Sequence, residues 1–383
     1  MPDVRNSVTN VASTTMKPIQ AIHVFVLFLV LSTLVTPVVS TQVLVHWRDC
    51  LAQPTSWYGG SEAIRIADNL LLFQFPSGGW PKNIDMTEEL SAAEKNALVA
   101  PTRVEDATID NSATYTQLRF LARAYSSTKR ERFKKSFQNG FDYLMKAQYE
   151  NGGWPQFYPL HEGYYSHITF NDNAMAGVLS LLRDIVEGKA EFRFVDNVRK
   201  EEARRSIGKG IACILKCQVH VDGQRTAWCA QHDERTFEPA EARTYELRSL
   251  SGMESVGVVE FLMGIENPSK EVIQSVQSAV LWFHRARIGG IKTVLKDDST
   301  APSGKDRIVV RDSSAPPMWA RFYQIGTNKP FYCSRDGVMR DSLSQISSER
   351  RNHYVWLGYW PEALLTKEYP RWIAKNRLVS VLQ

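Results

Sequence analysis

The chain has 383 residues, 43% of them hydrophobic, with a formal charge of +5. That length can bury a large core. The basic excess is small and nowhere gathered into runs interleaved with aromatics, which argues against a nucleic-acid binder.

In chain order, residues 1–40 read as a targeting segment rather than part of a fold. Lys17 precedes an apolar run, Ala21–Val35, broken only by His23, Ser32 and Thr33, and Thr-Pro-Val-Val-Ser follows as far as Ser40. The run is shorter than the roughly 20 apolar residues of a membrane span. The expectation is a cleaved signal peptide, with residues 41–383 a single secreted domain, a monomer with no membrane attachment. Setting the leader aside leaves a charge of +4, since it holds Arg5, Lys17 and Asp3.

Beyond the leader the chain repeats. Gln-x-x-x-Gly-x-Trp occurs at Gln74–Trp80 and Gln148–Trp154, and a degenerate copy runs from Gln218 through Gly223 to Trp228. Each copy closes a stretch with helical periodicity. Before Gln148, for example, Phe137, Phe141, Leu144 and Met145 fall on one face. Glycine after the last periodic residue, and proline after the first two tryptophans, stop the helix.

Between the copies lie two short blocks, Thr-Ile-Asp110-Asn111-Ser-Ala-Thr and Thr-Phe-Asn-Asp172-Asn173-Ala-Met, each followed by another apolar helical run. Matching the Asp-Asn strings makes Asp110 equivalent to Asp172. A third cognate, Ser249–Leu262, aligned by Gly257 on Gly177, then lacks the acid. A unit of about 70 residues with two helices predicts stacked αα-hairpins, an all-α chain closed or nearly closed into an α/α toroid. Residues 289–318, with Gly289-Gly290, Pro302, Ser303-Gly304 and Pro316-Pro317, read as a long irregular loop containing at most a short strand at Ile308–Val310. The aromatic tail, Tyr354–Lys375, is expected to cap the array.

There are five cysteines. Cys213 and Cys217 lie one helical turn apart, a poor disulfide geometry. Cys217 and Cys229 bracket a loop and are the better pair for an oxidising compartment. Cys213, Cys217, Cys229 and His232 form a looser alternative as a zinc set.

Asp110 and Asp172 admit two readings. Each could cap a helix N-terminus, worth about 1 kcal/mol, or the two loops could converge on a hard cation or polar substrate.

An ordered set of blocks resembles the family 10 polysaccharide lyases, the pectate lyases. It comprises Gly-Gly-Trp-Pro-Lys-Asn-Ile-Asp-Met (78–86), Thr-Ile-Asp-Asn-Ser-Ala-Thr (108–114) and Asn-Gly-Gly-Trp-Pro-Gln-Phe-Tyr-Pro-Leu (151–160). Ile-Thr-Phe-Asn-Asp-Asn-Ala-Met (168–175), Trp-Cys-Ala-Gln-His-Asp (228–233), Ala-Arg-Thr-Tyr-Glu-Leu (242–247), Leu-Ser-Gly (250–252) and Trp-Ala-Arg-Phe-Tyr (319–323) complete it. The likeness runs from about Trp57 to Trp372. Arg248 and Met253 depart from the family pattern.

The resemblance implies an α/α toroid that cleaves de-esterified homogalacturonan (polygalacturonate) by β-elimination with Ca²⁺. It implies Arg243 as the base and Asp110 and Asp172 as metal ligands. Arg321 and Arg335 would clamp uronate carboxylates, with Lys82 and Asn111 as further substrate contacts. The residue types suit that chemistry. Removing the C5 proton next to a carboxylate builds an enolate dianion, which oxygen-ligated Ca²⁺ and arginine forks can neutralise. An arginine base, with an ordinary pKa of about 12.5, should favour alkaline pH.

Three rivals use the same residues. In a glycoside hydrolase, Asp110 and Asp172 would be acid and base. A lectin-like toroid would bind acidic polysaccharide without cutting it. A triterpene cyclase would share the Gln/Trp repeat, but its Asp-x-Asp-Asp acid motif is absent.

Overall fold

The computed structural model describes residues 45–301 and 304–382. The leader expected at 1–40 lies outside the described residues. Those described all fall within one compact unit, and none of their helices is long and apolar enough to cross a membrane.

The molecule is mostly helical. Eight helices carry the architecture: α1 (Ser61–Phe73), α2 (Ala92–Leu98), α3 (Tyr115–Thr128), α4 (Glu131–Ala147), α5 (Ala174–Val186), α6 (Asn197–Cys217), α7 (Glu254–Met263) and α8 (Lys270–Arg285). Antiparallel neighbours form the hairpins α3–α4, α5–α6 and α7–α8. Across hairpins, α1, α4, α6 and α8 make one row and α3, α5 and α7 a second.

The pattern of apolar residues explains which row is which. In α4, Phe133, Phe137, Phe141 and Leu144 are fully buried on one face while the other is charged. Each such side chain contributes about 2 kcal/mol of burial. In α5, Val178, Leu179, Leu181, Leu182 and Ile185 are all buried, so this helix is covered on most sides, as an inner row must be.

The glutamine–tryptophan motif is the repeat's clasp. Gln74 Nε2 donates to Gly78 O in its own turn at 2.8 Å and to Ser136 O on α4 at 2.9 Å. Gln148 does the same to Gly152 and to Ser206 on α6, and Gln218 to Thr226 and to Ser275 on α8. Trp80, Trp154 and Trp228 are buried, each indole N–H donating at 2.8 Å to a carbonyl of the preceding helix. Gly78 and Gly152 are obligatory. Their φ angles are +106° and +96°, and a Cβ would stand 2.2 Å from Asn139 O and 2.1 Å from Lys209 O.

Between the helices, short strands lace the loops together. Ile168–Thr169 pairs with Gln231–His232, Leu250–Ser251 with Phe322–Tyr323, and Trp319–Ala320 with Leu357–Gly358.

Three expectations are corrected. Residues 289–318 are not an irregular loop. Ile291–Asp297 and Lys305–Arg311 form an antiparallel hairpin of seven pairs. Gly289-Gly290 and Pro316-Pro317 flank this hairpin, Gly304 precedes its second strand, and the β-branched residues between them form the strands. The Cys217–Cys229 disulfide is not formed, and all five cysteines are free thiols in buried positions. Burial, with Cys213 and Cys229 alongside, holds the Cys217 thiol well above its ordinary pKa. The zinc set fails as well, because both ring nitrogens of His232 are engaged. Nε2 accepts from Cys229 N–H at 3.0 Å and Nδ1 lies 2.7 Å from Phe237 O.

Candidate active site

The loops that follow each Gly-Trp turn carry the site, and their backbone register shows which residues are equivalent. Thr108, Thr169 and Ser251 each donate their N–H to the carbonyl of their own repeat's tryptophan, Trp80, Trp154 and Trp228, at 3.1, 3.1 and 2.8 Å. Counting from these anchors, the second residue is Asp110, Asn171 or Met253, and the third is Asn111, Asp172 or Glu254. Asn111 and Asp172 share the left-handed conformation, with φ of 48° and 47°.

The pairing of Asp110 with Asp172 is therefore off by one residue. The acid–amide pair of the first loop is inverted in the second. The third loop has not lost its carboxylate, because Glu254 supplies it. The helical glycines misled the alignment, since the stretch from anchor to helix shortens from copy to copy. The capping reading fails too. The N-cap positions of α3 and α5 are Thr114 and Asn173, and neither helix end is capped by an aspartate side chain.

The three loops converge. Asp110 is buried and accepts from Lys82 Nζ and Gln156 Nε2 at 2.5 Å each, and from Asn171 Nδ2 at 3.1 Å. Lys82 and Gln156 occupy the same place in successive repeats, two residues after Trp80 and Trp154; Ala230 holds it in the third. Asn171 Nδ2 also reaches Asp172 Oδ2 at 2.8 Å, so this amide joins the two aspartates.

Arg321, itself buried, spans the rest. Its Nη2 donates to Glu254 Oε1 at 2.5 Å, to Asn171 Oδ1 at 3.3 Å and to Asp172 Oδ1 at 3.4 Å. Its Nε is buried without a hydrogen-bond partner.

The arginine cluster begins at Tyr354. Arg321 lies 4.6 Å and Arg243 5.8 Å from the centre of its ring, and its hydroxyl donates to Glu246 Oε1 at 2.7 Å. Arg243 forks onto Glu246 through Nε and Nη2, at 2.7 and 2.5 Å. Tyr245 collects three guanidinium groups, those of Arg350, Arg243 and Arg335, at 4.6, 4.9 and 5.6 Å. Arg335 is exposed and paired with Glu349. It stands beside Arg243 rather than beside Arg321. Asn111 is exposed and donates to Asn83 Oδ1 at 2.7 Å.

The electrostatics divide the site in two. Burial raises the pKa of Asp172, and the charges of Glu254 and Asp110 add to that, opposed by Arg321. Three carboxylates, Asp110, Asp172 and Glu254, face two cations, Lys82 and Arg321, which leaves one negative charge in excess. A buried acceptor, Gln156 Oε1, also lacks a partner beside Asp110. A hard cation fits such an oxygen-rich, electron-rich group. Asp172 is its most available ligand, since Asp110 is already bound by three donors.

In the second half, burial alone would lower the pKa of Arg243, but the bonds and charge of Glu246 raise it above the usual value. Glu246 is correspondingly lowered, since its bonds to Arg243 and Tyr354 outweigh its burial.

Sequence reading missed Asn171, Gln156, Glu246, Glu254 and Tyr354. Gln156 and Asn171 lie inside the motifs already noted, and repeat position pointed to Gln156 once Lys82 was chosen. Nothing in the sequence singles out Tyr354.

Comparison with known proteins agrees with this arrangement. The family model for pectic acid lyase matches residues 74–365. A family 10 polysaccharide lyase from Cellvibrio cellulosa is 33% identical over 87% of this chain and 95% of its own, with a TM-score of 0.71. A mutant of a family 10 polysaccharide lyase from the same organism, in complex with trigalacturonic acid, is 32% identical over 85% of this chain and 99% of its own, also at 0.71. No curated protein sequence matches. An ordered set of motifs that folds into one acid–arginine cluster, matched over three quarters of the chain's length, makes this chain a member of the pectic acid lyase family, a polysaccharide lyase.

Proposed function

We propose that this enzyme is a secreted, calcium-assisted pectate lyase. It would cleave polygalacturonate by β-elimination and release oligogalacturonides with a 4,5-unsaturated end. The observation that carries the reading is the junction at Tyr354, where Arg243 and the Arg321–Asp172 group meet. Membership among the lyases sets aside the hydrolase, binding-only and cyclase readings. The trigalacturonic acid bound by the relative supports a uronate substrate. The two rows of helices support closure into an α/α toroid, and the apolar run after Lys17 supports export.

Arg321, which shares Tyr354 with Arg243, pairs with the carboxylate of the sugar to be deprotonated, and Lys82, already beside Asp110, with that of a neighbouring unit. Arg335 and Asn111 hold neighbouring units. Asp172, backed by Asp110, would hold Ca²⁺, whose charge lowers the cost of the developing enolate.

Arg243 takes the C5 proton. The C5–H electrons form the C4–C5 double bond, the C4–O bond breaks, and the leaving glycosidic oxygen takes a proton from water. Glu246 keeps Arg243 cationic at rest, so the reactive fraction grows as pH rises, which gives an alkaline optimum.

The test is ultraviolet absorbance of the conjugated product from polygalacturonate, with added Ca²⁺ or with chelator, for wild type and Arg243→Ala. Absorbance should appear only with wild type and Ca²⁺. Near-normal turnover by Arg243→Ala would overturn the assignment of the base.

A further inference from the structure

A cavity of about 420 Å³ opens beside Lys82, at the opposite end of the chain of contacts from Arg243. Its volume falls within the range of ligand pockets, about 300–1,000 Å³. One wall is made by the two loops carrying Lys82-Asn83 and Asn111; the other is the segment His46–Arg48. That second wall precedes the residues 74–365 matched by the family model.

The wall is built, not loose. Asp85 is the cavity's one lining carboxylate among the described residues, and it is used to fix the segment. Its Oδ2 lies 3.1 Å from His46 Nδ1, and its Oδ1 accepts from Trp47 N–H at 3.2 Å and from Thr87 Oγ1 at 2.6 Å. Trp47 packs on Phe120 with ring centres 5.6 Å apart. With Asp85 so bound, the cavity presents Lys82 and Arg48. The Arg48 side chain is 82% exposed, and its pairing with Asp49 is long, at 3.6 Å.

The floor is strained. Asn83, Asn111 and Ser112 hold φ of 61°, 48° and 65°, and Asn111 donates to Asn83 across it. Left-handed non-glycine residues cost of order 1 kcal/mol each and gather where a ligand is positioned.

We propose that this cavity is an additional subsite for one sugar-acid unit of the bound chain, with Arg48 pairing with its carboxylate. The proposal rests on the lyase reading above, because it is that enzyme's substrate which extends past Lys82. Arg48 would then set how strongly the enzyme prefers long chains over short ones, without touching the reacting sugar.

The experiment compares Arg48→Ala and Arg48→Lys with wild type on a galacturonate trimer and on an oligomer more than twice as long. For wild type, kcat/KM should rise with length. Arg48→Ala should shrink that gain by roughly tenfold, the value of one charge-assisted carboxylate contact, and Arg48→Lys should restore part of it. An unchanged gain in Arg48→Ala overturns the proposal. Calorimetric affinities for the two oligomers, measured in an Arg243→Ala background, read binding without turnover. Absence of unsaturated product from wild type would defeat the elimination reading, whereas absence of a length-dependent loss of affinity would defeat the subsite.

Discussion

Replacing Glu254 with glutamine isolates the buried ion pair at the centre of the acid–arginine cluster. Glu254 is 1% exposed and Arg321 6%, and their contact is 2.5 Å. Glutamine keeps the volume and an amide oxygen but removes the charge, leaving a buried guanidinium with Asp172 at 3.4 Å as its remaining carboxylate. Removing one member of a buried pair costs about 3–5 kcal/mol. Asp172 places this case at the lower end, about 3 kcal/mol. A chain of this size unfolds with a urea slope of about 3 kcal/mol per molar, so the urea midpoint should fall by about 1 M. Pairing Glu254→Gln with Arg321→Met removes the stranded charge, and the double variant should be more stable than the sum of the two losses by about 1–3 kcal/mol. The assay is equilibrium urea unfolding followed by tryptophan fluorescence. A Glu254→Gln midpoint within about 0.2 M of wild type would refute the claim that this pair is desolvated and mutually dependent.

Glu246→Gln removes the carboxylate that raises the pKa of Arg243, so the ascending limb of the kcat profile should move to lower pH; an unmoved limb would dissociate Glu246 from the base. His232 is buried and neutral, with burial pushing its pKa down from 6.5 to about 4. The unfolded chain therefore binds the extra proton between those values, and stability should fall as pH drops through that window, by on the order of 3 kcal/mol. His232→Gln should flatten the acid limb of a melting-temperature profile, and an identical limb would assign the loss elsewhere. Gly152→Ala should cost more than about 1 kcal/mol for its left-handed φ alone, plus the clash with Lys209 O; chemical denaturation measures it, and an unchanged midpoint contradicts the close approach.

The sequence carried the helical repeat because its signals are local. Glutamine, glycine and tryptophan stop each helix within seven residues, and the apolar faces of α3, α4 and α5 follow the helical period. The hairpin at Ile291–Arg311 was obscured because its strands are half-exposed and framed by glycine and proline, the residues that mark a loop. Register in the site loops was the subtler failure. Asp110-Asn111 and Asp172-Asn173 match as strings, but the chain aligns Thr108 with Thr169 through hydrogen bonds to tryptophan carbonyls. No residue type announces such bonds. Glu246 and Tyr354 lie 108 residues apart, beyond the reach of any motif.

The position two residues past each tryptophan holds a lysine, then an amide, then a methyl group. Identical copies would offer the same group at every loop. Grading that one position instead gives the site a charged side and an uncharged side, and Asp110 draws its donors from the first two copies. The divergence of the copies, more than their duplication, is what turns a repeated scaffold into a single site.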